Sequence, residues 1–196
     1  MNIRTKVLLT VLCAGALGSL AAMSVFGAFS ATTTNAGNTI SAGTVTIGDN
    51  DAGAAMYALS NAKPGDSVEK CIKVTYTGSL DADVHIYTTS SIGALGQYVD
   101  LTITPGTQAT STFPSCTGFT PDATGAIYTG TLANFATTKN TYANGLVDYP
   151  GTVAAKWATN DAVVYKVTAT LQSGAPEAAQ GQTTGAHTFT WEARNQ

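Results

Sequence analysis

The chain has 196 residues, 11 % of them charged, with nine basic against twelve acidic side chains. There is no basic patch and no run of like charge, which excludes a nucleic-acid partner on electrostatic grounds. Thr, Ala, Gly, Ser and Asn fill the positions that charges usually occupy, so solubility rests on hydroxyls and amides.

Arg4 and Lys6 form a positive N-terminal region, Val7 to Ala28 carry no charge, and Gly27-Ala28 offer small residues beside a cut before Phe29. Residues 1–28 therefore read as a signal helix, contacting the membrane only while uncleaved. Retention as an anchor is the alternative, because the uncharged stretch reaches the roughly 20 residues that span a bilayer. Cleavage is favoured over it: Gly15, Gly18 and Gly27 each weaken a helix by about 1 kcal/mol relative to Ala, and an uncharged TTTNAGNT segment follows instead of a basic stop-transfer cluster. Residues 29–40 read as an extended segment and 41–196 as one domain. With Arg4 and Lys6 removed, seven basic residues face twelve acidic ones, a net charge of −5.

A leader of this kind places the chain outside the cell. Cys71 and Cys116 are then most simply a disulfide in an oxidising compartment, two buried thiols being the alternative. Neither has a Cys or His at metal-ligand spacing, so no zinc knot is expected.

Strand periodicity governs the rest. Strands are expected at Gly43–Gly48, Ala54–Leu59, Ser67–Tyr76, Ala82–Thr88, Tyr98–Thr104, Ile127–Thr131, Thr152–Trp157, Ala162–Gln172 and Ala186–Arg194, most with apolar residues on alternate positions. Lys63-Pro64-Gly65-Asp66 presets a turn, with Pro holding φ near −65° and Gly accepting positive φ. Short helical pieces fit Thr131–Thr137 and Ala175–Gln180. Many short strands and almost no helix predict an all-β fold, an antiparallel two-sheet jelly-roll-like sandwich. The segment Pro105–Thr124 reads as a loop that a Cys71–Cys116 bond would pin to the body.

Five collinear segments carry a family resemblance. They are Phe26-Gly27-Ala28-Phe29-Ser30, Ser41-Ala42-Gly43-Thr44-Val45-Thr46-Ile47, Leu59-Ser60-Asn61-Ala62-Lys63-Pro64-Gly65-Asp66, Thr77-Gly78-Ser79-Leu80, and Gln180-Gly181 with Phe189-Thr190-Trp191-Glu192-Ala193. Together they resemble the TasA and camelysin family of secreted bacterial proteins, which the signal peptidase SipW releases and which includes biofilm-matrix fibre subunits. The resemblance implies a secreted or surface-exposed structural protein, processed between Ala28 and Phe29 by a SipW-like peptidase. Physically, the freed segment Phe29, Ser30, Ala31, Thr32, Thr33, Thr34 and onward, without charge or Pro, suits strand addition to a neighbour's sheet edge and self-association into fibres. A self-docked or disordered tail is the alternative.

The same resemblance implies a second activity, that of a zinc endopeptidase. The residues argue against it, because His85 and His187 are the chain's two histidines and no HExxH motif occurs. No GxSxG marks a serine hydrolase. Asp49-Asn50-Asp51 reads as a solvated turn before it reads as a calcium site, and Asp81 with Asp83 is weighed in the same way. No catalytic residue, cofactor or metal is therefore expected. A third reading is an adhesin presenting the Pro105–Thr124 loop or Tyr57, Tyr87 and Tyr98, whereas Trp157 and Trp191 fit core positions. No sorting motif or apolar tail precedes Gln196, so release to the surface is the expectation.

Overall fold

The computed structural model describes residues 2–4, 39–150 and 156–195, and every strand described in it lies in the second of two units, residues 42–196 rather than 1–41. Among the described residues, nine strands form two antiparallel sheets. In chain order they are β1 (Ile47–Asp49), β2 (Ser67–Tyr76), β3 (Asp83–Tyr87), β4 (Val99–Gln108), β5 (Phe119–Pro121), β6 (Tyr128–Thr131), β7 (Leu146–Asp148), β8 (Ala162–Leu171) and β9 (Thr190–Arg194). The larger sheet runs β1-β2-β8-β4-β5, with β6 also on β4, and the smaller runs β7-β3-β9. This is the all-β, two-sheet architecture that the alternation predicts.

The core lies between the sheets. Ile72, Val74 and Tyr76 of β2, Leu101 and Ile103 of β4, and Tyr165 and Val167 of β8 meet Val84 and Ile86 of β3. Trp157 is fully buried among them and bridges to Ala82, its indole N–H donating to the Asp148 carbonyl at 2.8 Å. The rest of the expected strand Thr152–Trp157 lies outside the described residues. The helix forms as α1 (Leu132–Thr138), capped by the Thr131 hydroxyl accepting from the Asn134 N–H at 3.1 Å, and it buries Leu132 and Phe135. Of Ala175–Gln180, only Glu177–Ala179 makes a 3₁₀ turn.

The turn before β2 forms as its residues require. The Asp66 N–H donates to the Lys63 carbonyl at 2.9 Å, and Gly65 takes φ +93°.

Four expectations need correction. Ala54–Leu59 is not a strand: the consecutive residues Met56 and Tyr57 both pack on the core, which a strand's alternation does not allow, and no neighbour among the described residues supplies a ladder. The first strand is Ile47–Asp49, because Thr44 and Thr46 spend their carbonyls on the amides of residues 77–80 instead of on a strand. The last strand begins at Thr190, not Ala186. Finally, β4 continues to Gln108 and Phe119–Pro121 forms β5, so the irregular segment is 109–118, shorter than Pro105–Thr124. Pro105 is tolerated inside β4 because its missing N–H faces the side where β6 has ended and β5 has not begun.

Candidate functional site

β2 is the strand on which the functional elements converge. Its odd-numbered residues direct their backbone groups away from β8: the Cys71 N–H donates to the Pro114 carbonyl at 3.1 Å and the Lys73 N–H to the Asn50 side-chain oxygen at 2.8 Å. β1 covers only Val74 to Tyr76 of this edge. Among the described residues, no strand pairs with Ser67 to Lys73 on that side. The large sheet thus keeps an incomplete edge, with Glu69, Lys70 and Lys73 as its charged residues, the type of side chain that guards exposed edges.

Segment 109–118 leaves β4, crosses the outer face of the large sheet and reaches β2. Cys71 and Cys116 are bonded, with Cα atoms 5.1 Å apart. On either side of Cys116, Gln108 of β4 donates from Nε2 to the carbonyls of Ser115 at 2.9 Å and Thr117 at 2.8 Å. The crossing explains why Cys71 and Val164, on the outer face by strand parity, are buried like the inner-face residues Ile72, Val163's neighbour Tyr165 and Val167. Lys166, opposite Cys71, carries its ammonium 5.3 Å from the Phe119 ring centre.

The outer face of the small sheet holds a different cluster. Tyr142 stacks on His85 with ring centres 4.0 Å apart and also carries the Arg194 guanidinium 4.0 Å from its centre. Arg194 Nε donates to Glu192 at 2.7 Å, and the Tyr87 hydroxyl donates to the other Glu192 oxygen at 2.6 Å. The Arg194 bond, then the Tyr87 bond, holds the Glu192 carboxyl below its usual range. Lys156 pairs with Asp83 at 2.9 Å. These groups satisfy one another, and the arrangement clasps the turn at Tyr142–Asn144 onto β3 and β9.

The two histidines have separate roles. His85 Nδ1 sits 2.6 Å from the Tyr142 carbonyl, so it must donate there. His187 Nδ1 is 3.1 Å from the Gly185 carbonyl and its Nε2 is 2.8 Å from the Tyr57 hydroxyl, which assigns donor and acceptor respectively in the neutral ring. Burial pushes the Tyr57 hydroxyl up to about 12, so it remains a donor at physiological pH. Residues 2–99 match the model of the camelysin metallo-endopeptidase family. This chain belongs to the TasA/camelysin family. A comparison with curated proteins finds no match. Membership makes it a protein of the secreted TasA/camelysin type, a family whose members are secreted or surface-associated.

The donor set of this camelysin-family chain does not fit the catalytic metal that the family description implies. A catalytic zinc site uses three protein ligands beside an open position. Among the described residues, no three His, Cys, Asp or Glu side chains come together. The remaining residues contain no His, Asp or Glu and a single cysteine, Cys13. The Asp49-Asn50-Asp51 carboxylates are turned on their own backbone, accepting from the N–H groups of Asp51 and Gly53.

The signal cleavage pair Ala28 and Phe29 and the segment Phe29, Ser30, Ala31, Thr32, Thr33, Thr34 lie outside the described residues. Tyr57, Tyr87 and Tyr98, expected as exposed aromatics, are each half-buried. Tyr57 is bonded to His187, Tyr87 to Glu192, and Tyr98 packs on the core. The sequence reading missed Asp148, a buried carboxylate whose only advance signal is its place one residue after an apolar pair, Leu146-Val147. Among the described residues no helix is long and apolar enough to cross a membrane.

Proposed function

We propose that this protein is a secreted structural subunit that builds extracellular fibres or biofilm matrix, adding the segment freed at Phe29 as a strand to a neighbouring subunit. The observation that carries the reading is the incomplete edge of the large sheet. β1 covers three residues of a ten-residue β2, Lys73 and Cys71 are capped by Asn50 and Pro114, and beyond them no strand among the described residues pairs with Ser67 and Glu69 on that side. An edge of this kind accepts an extended segment through main-chain hydrogen bonds.

Strand addition of this sort is head-to-tail, and head-to-tail association that does not close produces filaments. Family membership supports the secreted setting, and SipW-like processing would supply the free segment. Electron microscopy of protein beginning at Phe29, beside protein beginning after Thr39, tests the reading. Filaments from the first and none from the second are expected. Failure of both to form filaments over a range of concentration, salt and pH overturns it.

A further inference from the structure

The segment that covers β2 is held on that strand by a bond that thiols can break. Cys71 is 1 % exposed, while Cys116 stands at the surface end of the bond and is only half-buried. At β2 the segment contributes the disulfide and the Pro114 carbonyl. Its other polar anchors are the Ser111 hydroxyl, which accepts from Asn50 Nδ2 at 3.3 Å, and the Ser115 and Thr117 carbonyls, which accept from Gln108 of β4. Cutting the disulfide therefore leaves the segment tied to β4 and β5 but attached to β2 only by the Cys71–Pro114 backbone hydrogen bond and, through the Asn50 side chain, by Ser111.

We infer that segment 109–118 is a thiol-releasable strap over the edge of β2, and that the uncovered edge pairs with the same edge of a second copy. The occupant follows from register and charge. Two β2 strands run antiparallel about Cys71 bring Glu69 of each copy opposite Lys73 of the other, on one face, giving two opposite-charge pairs in which Glu69 shares its carboxylate with Lys166 of its own chain, 3.2 Å away. Centring on Glu69 would oppose Glu69 with itself, and centring on Lys70 would oppose Lys70 with itself. The Cys71 N–H and carbonyl, already directed to the edge, exchange hydrogen bonds with their counterparts. Asn50 gives up the Lys73 N–H in the same step.

The chemistry is thiol–disulfide exchange with a dithiol reductant. One reductant thiolate attacks Cys116 Sγ, the Cys71–Cys116 bond breaks, and Cys71 leaves as a thiolate that takes a proton from water. The second reductant thiolate attacks the mixed disulfide and releases Cys116. The protein disulfide gains two electrons and the dithiol ends as a disulfide. Access favours attack at Cys116, because Cys71 is shielded.

This association does not need the segment at Phe29, so it can fail without the fibre reading failing, and the reverse. The test compares oxidised and dithiol-reduced protein beginning after Thr39, the form for which the fibre reading expects no filaments, by sedimentation, with hydrogen exchange resolved at Cys71 and at Val163–Val167. Expected are an oxidised species unchanged by dilution, reduced protein that forms dimers, and at high dilution at least tenfold faster exchange at the Cys71 amide with β8 still protected. Glu69→Lys or Lys73→Glu alone should weaken the reduced dimer at least tenfold, and the double exchange should restore it. A reduced protein that stays monomeric, a Cys71 amide that keeps its protection, a dimer indifferent to the single reversals, or loss of β8 protection with reduction would each overturn the inference.

Discussion

The Asp148 carboxyl of β7 faces the hydroxyl of Tyr165 on β8, so one titratable pair spans the seam between the two sheets. Among the described residues, neither Asp148 Oδ2 nor the Tyr165 hydroxyl reaches hydrogen-bond geometry with a protein group, and the Trp191 indole N–H beside Tyr165 likewise has no acceptor there. Burial raises Asp148 from 3.8 to about 6, partly opposed by Tyr165 and by the Tyr149 backbone N–H. Trp157 holds the backbone of the same residue.

Stability should therefore fall as pH rises through the window from 3.8 to about 6. In that window the folded state keeps a proton on Asp148 that the unfolded state has released, so raising the pH favours unfolding. The contribution is up to about 3 kcal/mol, the full difference between the two values. Asp148→Asn should flatten this part of the profile in urea denaturation followed from pH 3.5 to 8. An unchanged slope in the variant would show that Asp148 is not its source.

Trp157→Phe should cost about 1–3 kcal/mol, because the Asp148 carbonyl loses its buried donor and the smaller ring leaves space. Trp157→Ala should cost about 3–5 kcal/mol. Urea midpoints measure both. A cost below the lower range for the Ala variant would mean that the indole is less tightly packed than its complete burial indicates.

Gly106→Val should detach β5 from β4. A Cβ at this position would press into the Thr120 carbonyl oxygen and stand 2.7 Å from Phe119 Cζ, and the former is backbone that cannot swing away. The expected destabilisation is about 1–3 kcal/mol, as for overpacking elsewhere. Faster amide exchange confined to β4's outer end and residues 119–121 would locate the effect.

Metal analysis should find no stoichiometric zinc on purified protein, and any cleavage of a protein substrate should persist after His85→Ala and His187→Ala. The reason is the separation of roles: His85 is committed to the Tyr142 turn and His187 to Gly185 and Tyr57. Stoichiometric zinc with histidine-dependent cleavage would restore the endopeptidase reading for this member.

Local chemistry carried much of the fold in the sequence. β2 forms over the whole of Ser67–Tyr76, β8 over all but the last expected residue, and Thr131 caps a helix that starts at the next position. Each of these depends on neighbours within a few residues. Ala54–Leu59 shows the limit, since its pattern suits a strand but a strand needs a partner to bond with. The triplet Leu146–Asp148 is a strand for the opposite reason: it is too short to show alternation, yet β3 lies alongside it.

By itself, the sequence determined the two-sheet β character, the turn at Pro64-Gly65 and a cysteine pair whose bonding made sense in a secreted chain. These follow from side-chain alternation, fixed backbone angles and composition, all readable along one dimension. Only the tertiary structure decided that the Cys71–Cys116 bond carries a strap across an incomplete sheet edge, and that Asp148 is buried opposite Tyr165. Both depend on which strands become neighbours, and residues far apart in the chain settle that through the shared burial of their apolar faces.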